Sequence, residues 1–239
     1  MTATAAPKTP SVWEDFIDIF TSPSQVFERR QNANFFLPMI VVTLIIALIY
    51  LGTKSLTQPV FDAEFARGMA AAMRKNPQIT PDQMAKGKDI AEKFSIVFVL
   101  FGIPIAMFFV GLLLWFVGKL FDSKMTFAGG VLVAAYAAFP KIFAAIAGPV
   151  IAYFSDPSTL TSASKITVSA AHFFDVSNTS PVVLALLSRI DVFTIWSTIL
   201  LGIGLSVLGK IPRSRAYIAA VIVWVLATVF PIYQAMRTM

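Results

Sequence analysis

Five long apolar stretches, separated by polar and charged segments, set the hydrophobic pattern of this chain. A bilayer core of about 30 Å is crossed by about 20 helical residues, so stretches of this length predict membrane-spanning helices. The pattern therefore predicts an all-α, polytopic membrane bundle of five transmembrane helices within residues 35–236. The predicted spans cover residues 35–52, 94–118, 126–154, 192–208 and 216–236.

Two of the spans contain residues that disturb a straight helix. Gly102 and Pro104 predict a kink in the second span. The third span is too long for an upright helix, and Pro140 near its middle predicts a break. Gly129 and Gly130, with nearby alanines, make this third span a small-residue helix that neighbouring backbones can approach closely.

Residues 1–34 are predicted to form a cytoplasmic segment that carries an amphipathic helix. Apolar side chains recur on one helical face and acidic side chains lie opposite, which predicts docking at the bilayer interface or in a groove on the bundle. The apolar face consists of Trp13, Phe16, Ile17 and Phe20, and the acidic face of Glu14, Asp15 and Asp18.

A second short helix is predicted to follow directly. Ser22 is the predicted N-cap, with Pro23 at the first helical position and Gln25 completing a capping box. Val26 and Phe27 of this helix are predicted to face inward.

The charged segment 53–93 predicts a helical hairpin outside the membrane, lying near its surface. An apolar stripe marks its first half, and Thr80-Pro81 marks a fresh helix start in its second half. A second extramembrane loop covers residues 155–190. Within this loop, residues 165–174 predict a strand or hairpin, and a short apolar helix begins after Ser180.

The stretch 111–140 returns 91 positions later as 202–231 without a gap. The two stretches share the motif Gly-Lys-(Leu/Ile)-x-x-Ser-(Lys/Arg) and a terminal Phe-Pro. This pattern predicts a repeated helical hairpin, because internal symmetry is common in membrane proteins. The alternative, two similar turns between unrelated spans, stays open.

Composition and charge agree with a membrane protein. Apolar residues make up 57% of the chain and charged residues 13%. The net charge of +6 comes from Lys and Arg that flank the spans, so we expect the lipid bilayer as a partner and no nucleic acid. Two short basic turns, at 119–125 and 209–215, predict a cytoplasmic N-terminus and an external C-terminus. Their basic residues are Lys119, Lys124, Lys210, Arg213 and Arg215.

Three short motifs stand out: Ser22, Pro23 and Phe27 before the first span, Tyr136 to Pro140 in the third, and Asp191, Phe193 and Trp196 at the start of the fourth. Together with the run from Gly202 to Lys210, they resemble the Yip1 family of five-span membrane proteins, in its bacterial form. The resemblance implies a cytoplasmic N-terminus and a single helical bundle in a bacterial cytoplasmic membrane. Eukaryotic members act in vesicle traffic and associate with prenylated Rab-type GTPases. This chain lacks an Asp-Leu-Tyr-Gly-Pro type motif and a long N-terminal cytosolic region, which argues against small-GTPase binding.

Enzymatic chemistry has few candidate residues. The chain has no Cys and a single histidine, His172, which lacks a Gly-x-Ser-x-Gly context. Gly118-Lys119 lacks the preceding glycine of a phosphate-binding loop. We therefore expect no catalytic residue, no cofactor and no metal site, and we expect that the protein is not an enzyme.

Lys141 and Asp191 are the most informative polar residues near the spans. A charge at the centre of a spanning helix costs several kcal/mol unless it reaches the interface, pairs or meets water. We predict that the two side chains pair directly or through water, with a structural or a functional role. The leading hypothesis is a non-enzymatic scaffold or accessory factor that binds other membrane proteins or further copies of itself. The alternative is a small transporter or channel that uses Lys141 and Asp191.

Overall fold

The structure, a computed structural model, describes residues 12–237 as a bundle of helices. Three stretches of 3₁₀ helix lie in the loop between the sixth and seventh α-helices. The α-helices are α1 (Val12–Thr21), α2 (Pro23–Arg29), α3 (Phe36–Lys75), α4 (Pro81–Lys119), α5 (Phe127–Ala137), α6 (Pro140–Phe154), α7 (Pro181–Leu187), α8 (Val192–Gly209) and α9 (Arg213–Arg237).

Within residues 12–237, five helical stretches are long and apolar enough to cross a membrane, and the secondary structure contains no extended strand. They are α3, α4, α5 together with α6, α8 and α9. Their outward faces carry large exposed apolar side chains, such as Leu48 on α3 and Phe101 on α4, as lipid-facing surfaces do. The predicted all-α, polytopic membrane bundle is confirmed.

The first two spans run on without interruption into the predicted extramembrane hairpin. α3 continues through Pro59 to Lys75, and α4 starts at Pro81 and continues through Pro104. The helix start predicted at Thr80-Pro81 is confirmed, and it has a capping box in which Thr80 accepts from Gln83 N and the Gln83 side chain accepts from Thr80 N. The hairpin is therefore an extension of the two spanning helices.

This hairpin folds over the loop that joins α6 to α8. Arg67 Nη1 donates to the Thr161 carbonyl at 2.5 Å, and Glu64 accepts a hydrogen bond from Ala163 N at 2.7 Å. At its tip, Lys75 Nζ donates to the Arg237 carbonyl at the end of α9, at 2.6 Å. The hairpin thus covers the end of the bundle that lies opposite the two basic turns.

The third span breaks where its proline predicts. α5 ends at Ala137, and α6 begins at Pro140, which occupies the first helical position and has no backbone N–H to continue α5. α5 also packs closely, since a Cβ added to Gly111 of α4 would lie 2.6 Å from the Cα of Val131. Glycine is required at this crossing because the two backbones touch there.

The strand or hairpin predicted for residues 165–174 is wrong. Residues 163–166 and 170–173 form two short 3₁₀ helices, and the nearest approach to a ladder is a single bridge between Ser169 and Asp191. Local turns form here instead of a strand, because the Ser164 and Ser169 carbonyls accept hydrogen bonds from the backbone N–H groups three residues later. The short helix after Ser180 is confirmed as α7, and Ser180 caps it by accepting from Val183 N at 3.3 Å.

The two basic turns contact each other at one end of the bundle. Lys124 N donates to the Gly209 carbonyl at 2.9 Å. The turns differ in backbone conformation, because positive φ angles occur at Asp122 (62°) and Lys210 (53°), which are not equivalent under the 91-residue offset. The predicted likeness of the two hairpins therefore does not extend to the conformations of their turns.

Candidate functional site

Lys141 and Asp191 meet where the first turn of α6 approaches the start of α8. Lys141 Nζ donates to Asp191 Oδ2 at 3.2 Å and to Thr194 Oγ1 at 2.5 Å. Thr194 Oγ1 donates in turn to Asp191 Oδ2 at 2.7 Å. The predicted direct pair is therefore present, and its functional role stays a prediction.

Local structure brings these groups together from two helix starts. Pro140 opens α6, which places Lys141 in the first turn of that helix. Asp191 is the N-cap of α8 and accepts from Phe193 N at 3.0 Å and Thr194 N at 3.3 Å. A carboxylate is favoured at a helix N-terminus, so Asp191 is stabilised both by the helix and by the lysine.

A cavity of about 310 Å³ lies beside this polar centre. Apolar side chains from four helices form most of its wall: Ile103 and Met107 of α4, Ala134 of α5, Leu201 of α8 and Val223 of α9. Its polar end carries Lys141, Arg189, Thr194, Ser197 and Thr198. The site therefore combines an apolar chamber with a positively charged end.

Arg189 contributes the second positive charge and was not singled out from the sequence. Its Nε donates to Thr228 Oγ1 of α9 at 3.2 Å, and it forms no ion pair within 4.0 Å to a carboxylate in residues 12–237. Burial lowers the pKa of the Arg189 guanidinium, and the nearby Asp191 carboxylate opposes that shift. An arginine pKa starts so high that the group stays charged at neutral pH.

Between the cavity and the basic turns, the described core is filled by apolar side chains. Leu201, Leu205 and Leu208 of α8 are buried, as are Leu114 and Val117 of α4. Gly118 and Gly209 face Ser123 at the end of this core, where a Cβ on Gly118 would lie 3.2 Å from the Ser123 Cβ. The cavity beside Lys141 is lined by no residue of the two basic turns.

The residues of the three short motifs converge around the N-terminal helices. Phe27 is fully buried and lies edge-on to Tyr136, with ring centroids 6.1 Å apart. Trp196 stacks on Phe143 at 6.1 Å, and Phe20 meets Trp196 edge-on at 5.3 Å. Phe193 stacks on Phe143 at 6.5 Å. Segments far apart in sequence thus form one aromatic cluster that holds α1 and α2.

The N-terminal helices occupy a groove on the bundle, the second of the two predicted docking modes. Phe16 and Phe20 pack against the core as predicted. Trp196, which Phe20 contacts, lies about 13 residues or about 20 Å of helix from Gly209 at the basic end. The tip of the α1–α2 hairpin therefore lies well inside the thickness that the spanning helices cross.

The predicted division of α1 into two faces is wrong at three positions. Trp13 and Ile17 are 73% and 69% exposed, whereas Asp15, assigned to the outer face, is completely buried. Asp15 accepts from Arg29 Nε at 2.7 Å and Arg30 Nε at 2.5 Å. It also accepts from the Tyr136 hydroxyl at 3.2 Å. The buried carboxylate is retained because charged and hydroxyl donors surround it.

Two further details of this hairpin differ from the prediction or were missed by it. Ser22 holds the N-cap position and Pro23 the first helical position of α2, but the Ser22 side chain makes no capping hydrogen bond. Burial lowers the pKa of Arg29, but hydrogen bonds to Asp18 and Asp15 outweigh that effect and the net pKa is raised. The Arg29-Arg30 doublet following an acidic helix was the only sequence signal for this cluster.

The five basic residues of the turns lie at one end of the bundle. Lys119 Nζ donates to the Ser123 carbonyl at 3.0 Å, and Arg215 lies 3.8 Å from the Asp122 carboxylate. The side chains of Lys124, Lys210 and Arg213 are exposed. The turns thus present one basic surface, as is typical of a surface that faces anionic headgroups.

Comparison with known proteins decides the family. The model of the Yip1 domain matches residues 17–233, which include α2 and part of α1 as well as the five spanning stretches. The chain belongs to the Yip1 family. This Yip1-family chain is also similar to the membrane protein YknW of Bacillus subtilis (strain 168), with 22% identity over 223 residues, covering 91% of the chain and 88% of YknW. No solved structure matches it.

Proposed function

We propose that this Yip1-family protein is a non-enzymatic scaffold or accessory factor for a membrane-protein assembly. The observation that carries the proposal is the apolar core that separates the polar centre from the basic turns. Buried leucines such as Leu201 and Leu205 fill the core between the polar centre and the basic turns. A protein with such a core acts through its surfaces, because it offers no route for a solute.

The alternative is a small transporter or channel that uses Lys141 and Asp191. Transport sites lie at the middle of the bilayer in broken helices, and the break before α6 is a feature of that kind. Lys141 and Asp191 neutralise each other directly, however, and Thr194 satisfies both. An ion-paired and hydrogen-bonded centre above an apolar core favours a structural role.

The α3–α4 hairpin is the surface best suited to a partner. It extends beyond the apolar part of both spans, and a polar network holds its two helices together outside them. Lys88 Nζ lies 2.9 Å from Asp62, and Gln58 donates to Asp62 at 2.9 Å and to Glu92 at 3.1 Å. Beside this network, Ile90 is 56% exposed. An element outside the apolar spans that exposes apolar surface beside a polar network fits binding to another membrane protein or to a second copy of the chain.

Photo-crosslinking from the hairpin tests this proposal. A photoreactive amino acid is placed at Lys86 or Ile90, both exposed on the hairpin, and at Phe101, which is 64% exposed on the lipid-facing part of α4. We expect defined protein adducts from the hairpin positions and lipid adducts from Phe101. The same partner should co-purify in mild detergent at a fixed ratio, and adducts should persist in the Lys141→Met/Asp191→Asn double variant. Recovery of a lone monomer without hairpin adducts would overturn the proposal.

We also propose that the basic turns face the cytoplasm and that the hairpin lies outside, which places the C-terminus outside. The support is the concentration of positive charge at one end of the bundle.

Cysteine labelling in vesicles of both orientations checks this topology. The chain has no native Cys, so single cysteines are placed at Lys124 and Ser214 in the turns and at Lys86 and Asp175 on the opposite end. Ser123 is unsuitable because it is buried. An impermeant maleimide should label Lys86→Cys and Asp175→Cys in right-side-out vesicles, and the two turn positions in inside-out vesicles. Labelling of the turns in right-side-out vesicles would show that the protein has the opposite topology.

A further inference from the structure

The cavity beside Lys141 has more positive than negative charge at its polar end. Lys141 and Arg189 bring two positive charges to its polar end, and Asp191 supplies one negative charge. The Arg189 guanidinium donates only to the neutral Thr228 hydroxyl within the described chain. The polar end therefore has an excess of positive charge in a partly buried position, which favours an anion.

A second observation comes from Ser197. Ser197 is one of the residues that line the cavity, and its buried hydroxyl oxygen has no hydrogen-bond partner in residues 12–237. Buried hydroxyl groups are normally hydrogen-bonded, and a serine in a helix usually donates to the carbonyl four residues earlier. A rotation of this side chain would offer the hydroxyl to a ligand in the cavity.

The rest of the wall is apolar and extends away from the charged end. Leu201 lies about nine residues, or about 13 Å of helix, along α8 from the first residue of that helix. Ala106 of α4 and Ala227 of α9 line the cavity with small side chains, and Ala106 is exposed. The apolar wall is therefore long enough to accept part of a hydrocarbon chain.

We infer that this cavity binds an anionic amphiphile, whose phosphate head lies between Lys141 and Arg189 and whose hydrocarbon chain fills the apolar chamber. Charge complementarity identifies the head and the apolar wall identifies the tail. The site lies beside the first half of α8, whereas a basic turn follows the end of that helix, so it is distinct from the general attraction of basic turns for anionic membrane surfaces.

The test uses the full chain, purified and delipidated in detergent, with photoactivatable phosphatidylglycerol that carries the reactive group on its acyl chain. We expect adducts in the peptides that contain Ile103 to Val110 or Val223 to Ala227. Phosphatidylcholine with the same tails should compete about tenfold less well than phosphatidylglycerol. Inorganic phosphate at millimolar concentration should compete poorly, because it lacks the tail.

Two pairs of variants separate the head from the tail. Arg189→Gln should lower the apparent affinity for phosphatidylglycerol about tenfold and remove its advantage over phosphatidylcholine, whereas Arg215→Gln in the basic turn should leave the cavity adduct unchanged. Ala227→Phe fills the chamber and should abolish the adduct, whereas Val229→Phe on the exposed face of α9 should not.

Three outcomes would overturn the inference. They are equal competition by the two lipids, full competition by inorganic phosphate alone, and adducts that lie outside the cavity peptides. If Arg189→Gln fails to fold, the Ala227→Phe and Val229→Phe pair still decides the outcome, since neither variant alters a charge.

Discussion

Replacing Asp15 by asparagine is expected to destabilise the protein by about 3 kcal/mol, because the change removes a fully buried carboxylate that faces two guanidinium groups. Breaking a buried ion pair on one side costs about 3–5 kcal/mol, since the remaining charge is left in a low-dielectric environment. Arg29 and Arg30 are 19% and 22% exposed, and Asp18 still pairs with Arg29, so we expect the lower end of that range. Unfolding in dodecyl maltoside–SDS mixed micelles, followed by tryptophan fluorescence, measures the loss.

Graded controls make this expectation specific. Tyr136→Phe removes one hydrogen bond of 3.2 Å to Asp15 and should cost about 1 kcal/mol. Asp89→Asn disrupts a pair with Lys93 in which both side chains are more than half exposed, and should cost less than about 1 kcal/mol.

Trypsin provides a second measurement of the same change. In the Asp15→Asn variant, cleavage after Arg29 or Arg30 should accelerate, because the α1–α2 hairpin is less firmly held in its groove. Equal losses in the Asp15 and Asp89 variants, or unchanged cleavage, would show that the buried cluster does not hold the hairpin.

The spanning helices follow from the sequence because length and apolarity alone decide whether a segment can cross a bilayer. The break at Pro140 and the helix starts at Thr80 and Ser180 could also be predicted from the sequence, since each rests on the local chemistry of one backbone segment. These features need no knowledge of what packs against them.

The orientation of α1 could not be predicted from the sequence in the same way. A polarity pattern assigns every acidic residue to the outside, and Asp15 is buried only because Arg29, Arg30 and Tyr136 surround it. Those partners lie 14, 15 and 121 residues away along the chain. Tertiary ion pairs of this kind override an amphipathic pattern, and only the arginine doublet pointed to them.

The candidate site could be predicted from the sequence in part. A helix break near Lys141 and the placement of Asp191 at the same end of the bundle predicted their approach. The contribution of Arg189 was missed, because it lines the cavity only after α4 and α9 pack against α8. A cavity is a property of several helices together, and the sequence of one helix does not reveal it.

A double-mutant cycle on Lys141 and Asp191 has the second largest expected effect. Lys141→Met leaves Asp191 without its lysine, and Asp191→Asn leaves Lys141 without its carboxylate, so each change should cost about 1–3 kcal/mol. Asparagine is also a favoured N-cap, so Asp191→Asn tests the charge while a cap for α8 remains.

The two losses should not add. We expect the Lys141→Met/Asp191→Asn double variant to lose about 1 kcal/mol less than the sum of the single variants, because the second change removes a charge that the first one left unpaired. The Lys141 side chain is 37% exposed, and solvent screening keeps the coupling at this modest value. The matched control combines Lys141→Met with Asp89→Asn in the extramembrane hairpin, where strict additivity is expected. Additivity in both cycles would contradict the ion pair. Coupling in the first cycle, together with unchanged hairpin adducts in the double variant, would make the pair structural and weaken the transporter alternative.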